Sequence, residues 1–155
     1  MPAQTRAVTA DNFGAWLLKV DPAATDVPHL LRTGFRTVTT RCVRPSYRTD
    51  LVALDQPLLL WVSGSSAVTP AGIYAHGRTT GPVSHDESQL VMPVELEPLD
   101  PPIFRTELLA HPVLSRIEVL RMPAGSNPSF ISAHQLAAIG SRRKDPTVPG
   151  GGDGA

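Results

Sequence analysis

The sequence predicts a mixed α+β fold, most simply a curled sheet or small barrel with short helices in its connections. Two observations lead to this prediction. Short apolar or β-branched runs recur along the chain, separated by turn-forming Pro, Gly and Asp residues. Helix-type patterns are brief and fall between these runs. The length of 155 residues suits one domain.

In the first half of the chain, each element follows from its local pattern. Residues 15–20 (AWLLKV) form an apolar run closed by Asp-Pro, which predicts a first strand. Asp26 is a good helix N-cap and Gly34 a good stop, so a short helix is expected between them. The β-branched stretch 35–40 predicts a strand, and residues 47–54 carry two leucines one helical turn apart.

The second half contains the clearest strand patterns. Residues 58–63 (LLLWVS) predict a buried strand, and residues 73–79 predict the next one. Residues 90–97 predict a further strand, which Pro93 would place at an edge or a bulge. Three later prolines are expected to break the chain before a short helix over 104–109.

The last two elements are short. Residues 117–120 are expected to be extended because they combine apolar and β-branched side chains. Ser132 and Gln135 have the spacing of a capping box, which opens a helix. Gly140 is expected to end that helix.

The chain therefore divides into one domain and two ends. We expect a folded domain over 13–140, a flexible N-terminus over 1–12 and a disordered polar tail over 141–155. No apolar run approaches the roughly 20 residues of a membrane helix, and the N-terminal stretch lacks the apolar core of a signal peptide. The single cysteine, Cys42, excludes an internal disulfide. We expect a cytoplasmic protein with no membrane partner.

Charge limits the kinds of partner. The formal net charge is zero, which argues against wholesale binding of phosphates. The charges are spread unevenly, however. Residues 6–48 hold seven Lys or Arg against three Asp, giving +4, whereas residues 49–140 hold four Arg against nine acids, giving −5. One side of the molecule is therefore expected to attract a short anionic ligand, unless its arginines are solvated or paired with the acidic half.

Catalytic and metal chemistry have little support. A Cys42 nucleophile would need a histidine base within hydrogen-bond reach, and none of the five histidines stands in a recognisable motif. The histidines show no metal-ligand spacing, and a lone cysteine is usually inert. We expect no enzyme activity, no metal and no cofactor.

Binding of a single splayed nucleobase fits the residue types better, because it needs a flat stacking surface and a few fixed polar groups. Tyr47 and Phe130 lie in turn-rich stretches and are candidates for a pocket wall. Trp61 and Ser63 would share one face of a strand. Trp16 and Trp61 are also natural core residues, and that alternative stays open.

Five segments, read in order, resemble an EVE domain of the PUA-like superfamily, which is related to YTH domains. The segments are WLLKVDP (16–22), RPSYRTDL (44–51), LLLWVSG (58–64), PAGIYAHG (70–77) and EVLRMPAGSNPSFI (118–131). They span roughly residues 14–140. The chain departs from the family pattern at Asp55-Gln56, where Gly-Asp is usual, and at Asp21, where Glu is usual. Arg41 or Cys42 also stands where an aromatic is often found.

The resemblance implies a PUA-like curled sheet with one pocket for a flipped base. The implied ligands are modified nucleobases in DNA or RNA, notably cytosines substituted on the ring carbon that faces the major groove. The implied pocket residues are Lys19, Ser46, Tyr47, Trp61, Ser63, Asn127 and Ser129.

The resemblance also implies a role for each group of residues. Tyr47 or Trp61 would stack on the base, and the serines and Asn127 would address base edges or a phosphate. Arg44 and Arg48 would hold flanking phosphates, which position a strand without reading its sequence. We therefore expect a non-enzymatic reader of a modified base. The alternative is a protein-interaction module that keeps the fold without the ligand.

Overall fold

The computed structural model describes residues 7–64 and 69–144, with only the backbone given for 142–144. The predicted tail beyond residue 144 and the first six residues of the predicted flexible N-terminus lie outside this range. The seven strands are β1 Phe13–Val20, β2 Thr40–Cys42, β3 Pro57–Val62, β4 Gly72–Thr79, β5 Ser84–Asp86, β6 Gln89–Phe104 and β7 Ser129–Ser132. The helices are α1 Val27–Arg32, α2 Arg105–Leu109, α3 Glu118–Arg121 and α4 Ala133–Lys144, with 3₁₀ turns at Tyr47–Leu51 and Leu114–Arg116.

The strands form one curled mixed sheet, which confirms the predicted α+β class. Their order is β2-β6-β4-β3-β1-β7, and β5 pairs with β6. Among the strands of the described ranges, the β1–β3 pair alone is parallel, with Trp16 opposite Leu58, and the other pairs are antiparallel. The curl brings the two edges of the half-barrel together. Arg41 Nη2 donates to the Lys19 carbonyl at 3.3 Å, and Arg44 N–H donates to the Asn127 carbonyl at 3.0 Å. We call this meeting line the seam.

Alternating side chains of the sheet supply two cores, one on each face. Trp16 and Leu60 belong to the core inside the curl, where the Trp16 indole N–H donates to Gln56 Oε1 at 2.7 Å. Leu59 and Trp61 face the other way, into a core covered by the helices that follow β6 and by α4. The buried tryptophans therefore fill the cores rather than a groove.

The prediction of a strand over residues 35–40 is wrong, because the strand in this region is Thr40–Cys42. Gly34 and Phe35 both have positive φ, at 65° and 62°, and the Phe35 N–H donates to the Leu30 carbonyl at 2.8 Å. The chain thus closes α1 with a left-handed turn. Burial of the Phe35 ring stabilises this turn against the β preference of the stretch.

β6 departs from the prediction in two ways. It lies inside the sheet between β2 and β4, so Pro93 does not mark an edge. It also continues through the three prolines that were expected to end it. In its pairing with β4, Ile73 lies opposite Ile103 and Ala75 lies opposite Pro98. Between these two pairs the chain advances by two residues in β4 and by five in β6. The surplus residues form a bulge, where prolines need not donate to the ladder.

Among the C-terminal elements, one prediction is confirmed and two differ from the structure. The stretch 117–120 is helical, because the amides of Leu120 and Arg121 both donate to the Ile117 carbonyl. The predicted capping box is confirmed: Ser132 N–H donates to Gln135 Oε1 at 3.0 Å, and Gln135 N–H to Ser132 Oγ at 3.1 Å. α4 then runs four residues past the expected stop, to Lys144.

Candidate functional site

A cavity of about 240 Å³ opens beside the seam. We call it the seam pocket. It is lined by Arg44, Ser46, Tyr47, Arg48, Glu118, Met122, Gly125, Ser126, Asn127, Pro128 and Ser129. The first four follow β2, and the rest come from α3, from the segment after it and from the first residue of β7. The pocket therefore depends on the closure of the sheet edges.

The Tyr47–Leu51 turn directs an aromatic side chain into the pocket. Ser46 caps this turn, because its Oγ accepts from Arg48 N–H at 3.1 Å while its own N–H donates to Thr49 Oγ1 at 3.3 Å. Tyr47 is 51% exposed. Its hydroxyl accepts the Val8 N–H at 2.9 Å, and Val8 is itself buried. The Tyr47 ring is therefore exposed, and the hydrogen bond from the Val8 N–H holds its hydroxyl end in place.

Arg48 and Glu118 form a buried ion pair behind this ring. Arg48 Nη1 and Nη2 donate to the two carboxylate oxygens at 2.7 and 2.8 Å, and each side chain is 10% exposed. Nη1 also donates to the Pro128 carbonyl at 3.0 Å, and the guanidinium carbon lies 5.2 Å from the centre of the Phe130 ring. The hydrogen bond to Glu118 raises the pKa of Arg48. The pair ties the Tyr47–Leu51 turn to α3.

Asn127 closes the seam. Its side-chain oxygen accepts the Lys19 N–H at 2.9 Å, and its side-chain nitrogen donates to the Lys19 carbonyl at 3.2 Å. Lys19 Nζ donates to the carbonyls of Pro123, at 3.1 Å, and of Gly125. Burial lowers the pKa of Lys19, and the Glu118 carboxylate offsets part of that effect. The Asn127 and Lys19 side chains therefore hold the pocket wall in place by hydrogen bonding to backbone groups.

Six of the nine residues implied by the resemblance line the seam pocket, namely Ser46, Tyr47, Asn127, Ser129, Arg44 and Arg48. Lys19 stands directly behind its wall. Trp61 and Ser63 do not line it. The Trp61 side chain is buried in the core beneath the helices, and Ser63 Oγ donates to the Val20 carbonyl at 3.1 Å.

Two lining groups retain free binding capacity. The Ser129 hydroxyl has no hydrogen-bond partner within the described residues, although Ser129 is buried. The exposed Arg44 guanidinium likewise has no side-chain partner among them. Ser46 Oγ accepts one bond and keeps its hydrogen for another acceptor.

Sequence reasoning missed Glu118, Met122 and the residues just before Asn127. Glu118 carried a usable signal, since it is a lone carboxylate within the apolar stretch Ile117-Glu-Val-Leu120. A charge in such a stretch is buried only with a partner. Met122 and Gly125 carried no comparable signal, because their position depends on how α3 meets the seam.

Other candidate chemistry is sparse in the part of the chain that the structure describes. Cys42 is exposed, and its sulfur hydrogen bonds to Gln89 Oε1 at 2.9 Å, with no bonded histidine within that part. Within 7–64 and 69–144, no three His, Cys, Asp or Glu side chains are grouped to hold a metal ion. None of the helices in these ranges combines the length and apolarity needed to cross a membrane.

Solved structures with the same curled sheet support the fold assignment. A hypothetical protein of Leishmania major aligns with a TM-score of 0.66 and 14% identity, covering 90% of this chain and 99% of its own. A Rhodopseudomonas palustris protein solved by NMR aligns at 0.62 and 12% identity, covering 81% and 90%. A Pseudomonas syringae protein solved by crystallography aligns at 0.61 and 15%, covering 84% and 99%.

These likenesses are consistent with a PUA-like fold and are too distant in sequence to show more than the fold. No protein-family model and no curated protein matches the chain.

Proposed function

We propose that the protein is a non-enzymatic reader that binds a modified nucleobase of DNA or RNA in the seam pocket. The observation that carries this proposal is the Tyr47 ring, half exposed in the pocket and fixed at its hydroxyl by the Val8 N–H. A stacking platform gains most when its ring is ordered before the ligand arrives, because less entropy is lost on binding.

The pocket's size and polar groups support the same ligand class. Its volume of about 240 Å³ lies just below the roughly 300–1,000 Å³ of pockets for drug-sized ligands. A single flat base suits such a space. The free Ser129 hydroxyl and the remaining hydrogen of Ser46 supply fixed polar groups for a base edge. Asn127 is already occupied by Lys19, so its role in this proposal is to hold the wall.

Arg44 supplies the phosphate contact in this proposal, and Arg48 does not. Arg44 stands exposed at the mouth, whereas the Arg48 charge is neutralised by Glu118. A base reader depends on its pocket more than on phosphate contacts. A single exposed arginine and a net charge of zero are therefore compatible with this proposal. The resemblance to EVE domains supports a modified cytosine as the ligand. An interaction module that has lost the ligand is expected to pack this loop shut, so the exposed Tyr47 ring favours the reader.

The test is a titration with short single- and double-stranded oligonucleotides that carry unmodified or ring-substituted cytosine. Tyr47→Ala should weaken binding of the preferred oligonucleotide by about 1–3 kcal/mol, or roughly 5- to 150-fold, since base–aromatic stacking has that magnitude. Tyr47→Phe keeps the ring and loses the hydroxyl's contacts with the Val8 N–H and with Arg48, so it should retain most of the affinity.

Two salt concentrations separate the possible outcomes. Selective binding that depends on Tyr47 and only weakly on salt would support the reader. Binding that ignores the modification and collapses at high salt would contradict it, since that behaviour indicates generic phosphate contact. Absence of binding to every oligonucleotide would favour the interaction module.

A further inference from the structure

A second and larger cavity, of about 600 Å³, lies on the other side of the Arg48–Glu118 pair. We call it the α4 cavity, because the start of α4 forms one wall. It is lined by Asp11, Asn12, Pro112, Val113, Arg116, Glu118, Arg121, Phe130, Ser132, Ala133, His134 and Gln135. Its volume falls within the range of roughly 300–1,000 Å³ that is typical of ligand sites. Nothing in the seam pocket's proposed role accounts for it.

The charges of the α4 cavity suit an anion. Arg116 and Arg121 both line it and are exposed. Of the two lining carboxylates, Glu118 is held by Arg48, which leaves Asp11. Arg121 already has a partner within the protein, so Arg116 is the lining arginine that remains for an anion. Arg116 has no side-chain partner within the described residues, so its five N–H donors are available to a ligand.

The cavity also offers neutral donors. At the start of α4, the Ala133 N–H is taken by the Asn12 carbonyl, and the Gln135 N–H by Ser132 Oγ. The His134 N–H between them has no partner within the described residues. A backbone donor that shares a cavity with an arginine is typical of phosphate contacts, although Arg116 supplies most of the attraction here.

The two cavities adjoin, since Glu118 lines both of them. The ion pair that separates them is the same pair that holds the Tyr47–Leu51 turn against α3. Phe130, over which the Arg48 guanidinium lies, forms part of the α4 cavity's wall. A nucleic-acid strand that passes from the seam pocket over the Arg48–Glu118 pair therefore reaches the α4 cavity, which is lined by arginines.

We propose that the α4 cavity binds a phosphodiester group of the strand whose base occupies the seam pocket, with Arg116 as the principal contact. This inference rests on the proposed function for the identity of the strand. It adds a second contact region, beyond the residues implied by the sequence, that fixes the strand's direction across the protein. Phosphate contacts position a strand and carry no base information, so the site contributes affinity without selectivity.

The test is Arg116→Gln, compared with the matched control Arg32→Gln. Arg32 is an exposed arginine on α1 that lines neither cavity. Losing one phosphate contact reduces the slope of log affinity against log salt by about 0.7 for single strands and 0.9 for duplexes. The ratio of affinities at 50 and 200 mM salt should therefore shrink by roughly 2.5- to 3.5-fold in Arg116→Gln and stay unchanged in Arg32→Gln. Preference for the modified base should be the same in both variants.

Free modified nucleoside, which lacks phosphate, is the second probe. It should bind wild type and Arg116→Gln equally, because it reaches only the seam pocket. Equal salt slopes for Arg116→Gln and Arg32→Gln would overturn the inference while leaving the reader intact. If the nucleoside does not bind at all, but an unmodified strand still depends on Arg116, then the base-reading function fails and the α4 cavity stands as a phosphate site.

Discussion

Arg44 and Arg48 lie four residues apart in the segment that follows β2, yet their guanidinium groups have different surroundings. Arg44 is exposed at the mouth of the seam pocket, whereas Arg48 is buried against Glu118, Pro128 and the Phe130 ring. The sequence makes the two residues look equivalent. Because a buried charge needs a partner, Arg48 stabilises the loop that carries Tyr47, whereas the Arg44 side chain has no partner within the described residues.

Glu118→Gln should be among the most destabilising single substitutions in the site. It leaves the buried Arg48 charge without its carboxylate, and breaking such a pair typically costs about 3–5 kcal/mol. Chemical denaturation should show a lower midpoint at an unchanged slope.

The matched control for this substitution is Glu95→Gln. Glu95 also pairs with an arginine, Arg78, but its side chain is 64% exposed. Exposed pairs contribute at most about 1 kcal/mol, so this variant should stay near wild type. Equal losses in the two variants would show that Arg48 is not buried as described.

At the scale of elements, the contact between β4 and β6 depends on the lack of a side chain at Gly77. A Cβ atom there would overlap the Glu95 carbonyl, which is backbone and cannot rotate away. Gly140 is the opposite case, since it lies within α4 and a Cβ there meets no atom within 4 Å.

The same substitution should therefore act in opposite directions at the two glycines. Gly77→Ala forces the strands apart and should destabilise the protein by about 1–3 kcal/mol. Gly140→Ala should stabilise it by roughly 1 kcal/mol, because alanine favours a helix interior. Thermal unfolding of both variants provides the measurement. A loss of stability in Gly140→Ala would mean that α4 does not continue through this position.

The local sequence pattern was sufficient to predict elements with local hydrogen bonds and strands that are fully buried. The capping box at Ser132 and the strand around Trp61 are of this kind. It failed at 35–40, where β-branched residues follow a left-handed turn, and at 117–120, where they belong to a short helix. In both places tertiary burial, of the Phe35 ring and of Val119, outweighs a β propensity that spans only about 1 kcal/mol.

At the scale of the whole molecule, the seam joins two parts of the chain that are far apart in sequence. Asn127 hydrogen bonds with both backbone groups of Lys19, 108 residues away. The resemblance gave the residues on each side of the seam, but no local pattern distinguishes a side chain that binds ligand from one that holds the wall. That distinction depends on long-range partners: the Asn127 side chain bonds to Lys19, and the Trp61 side chain lies in the core beneath the helices.

Asn127→Ala should loosen the seam without unfolding the sheet. It leaves the Lys19 N–H and carbonyl unpaired, at a cost of about 1–3 kcal/mol. Amide hydrogen exchange should accelerate at Lys19 and Arg44 and remain slow in the β3–β4 pair.

Asn12→Ala is the control for the seam. Within the described residues, the Asn12 side-chain amide bonds to the nearby Thr9 N–H and Ala7 carbonyl, so its loss should leave exchange at the seam unchanged. Uniform acceleration across the whole sheet in Asn127→Ala would show instead that the seam and sheet open as one unit.

The buried ion pair also constrains how this protein changes over generations. A mutation at either Arg48 or Glu118 alone produces an intermediate that carries an unpaired buried charge. Lineages are therefore expected to keep both residues or to replace both with apolar ones, so the two positions should co-vary among descendants. Arg44, which takes part in no such pair, is expected to vary independently of them.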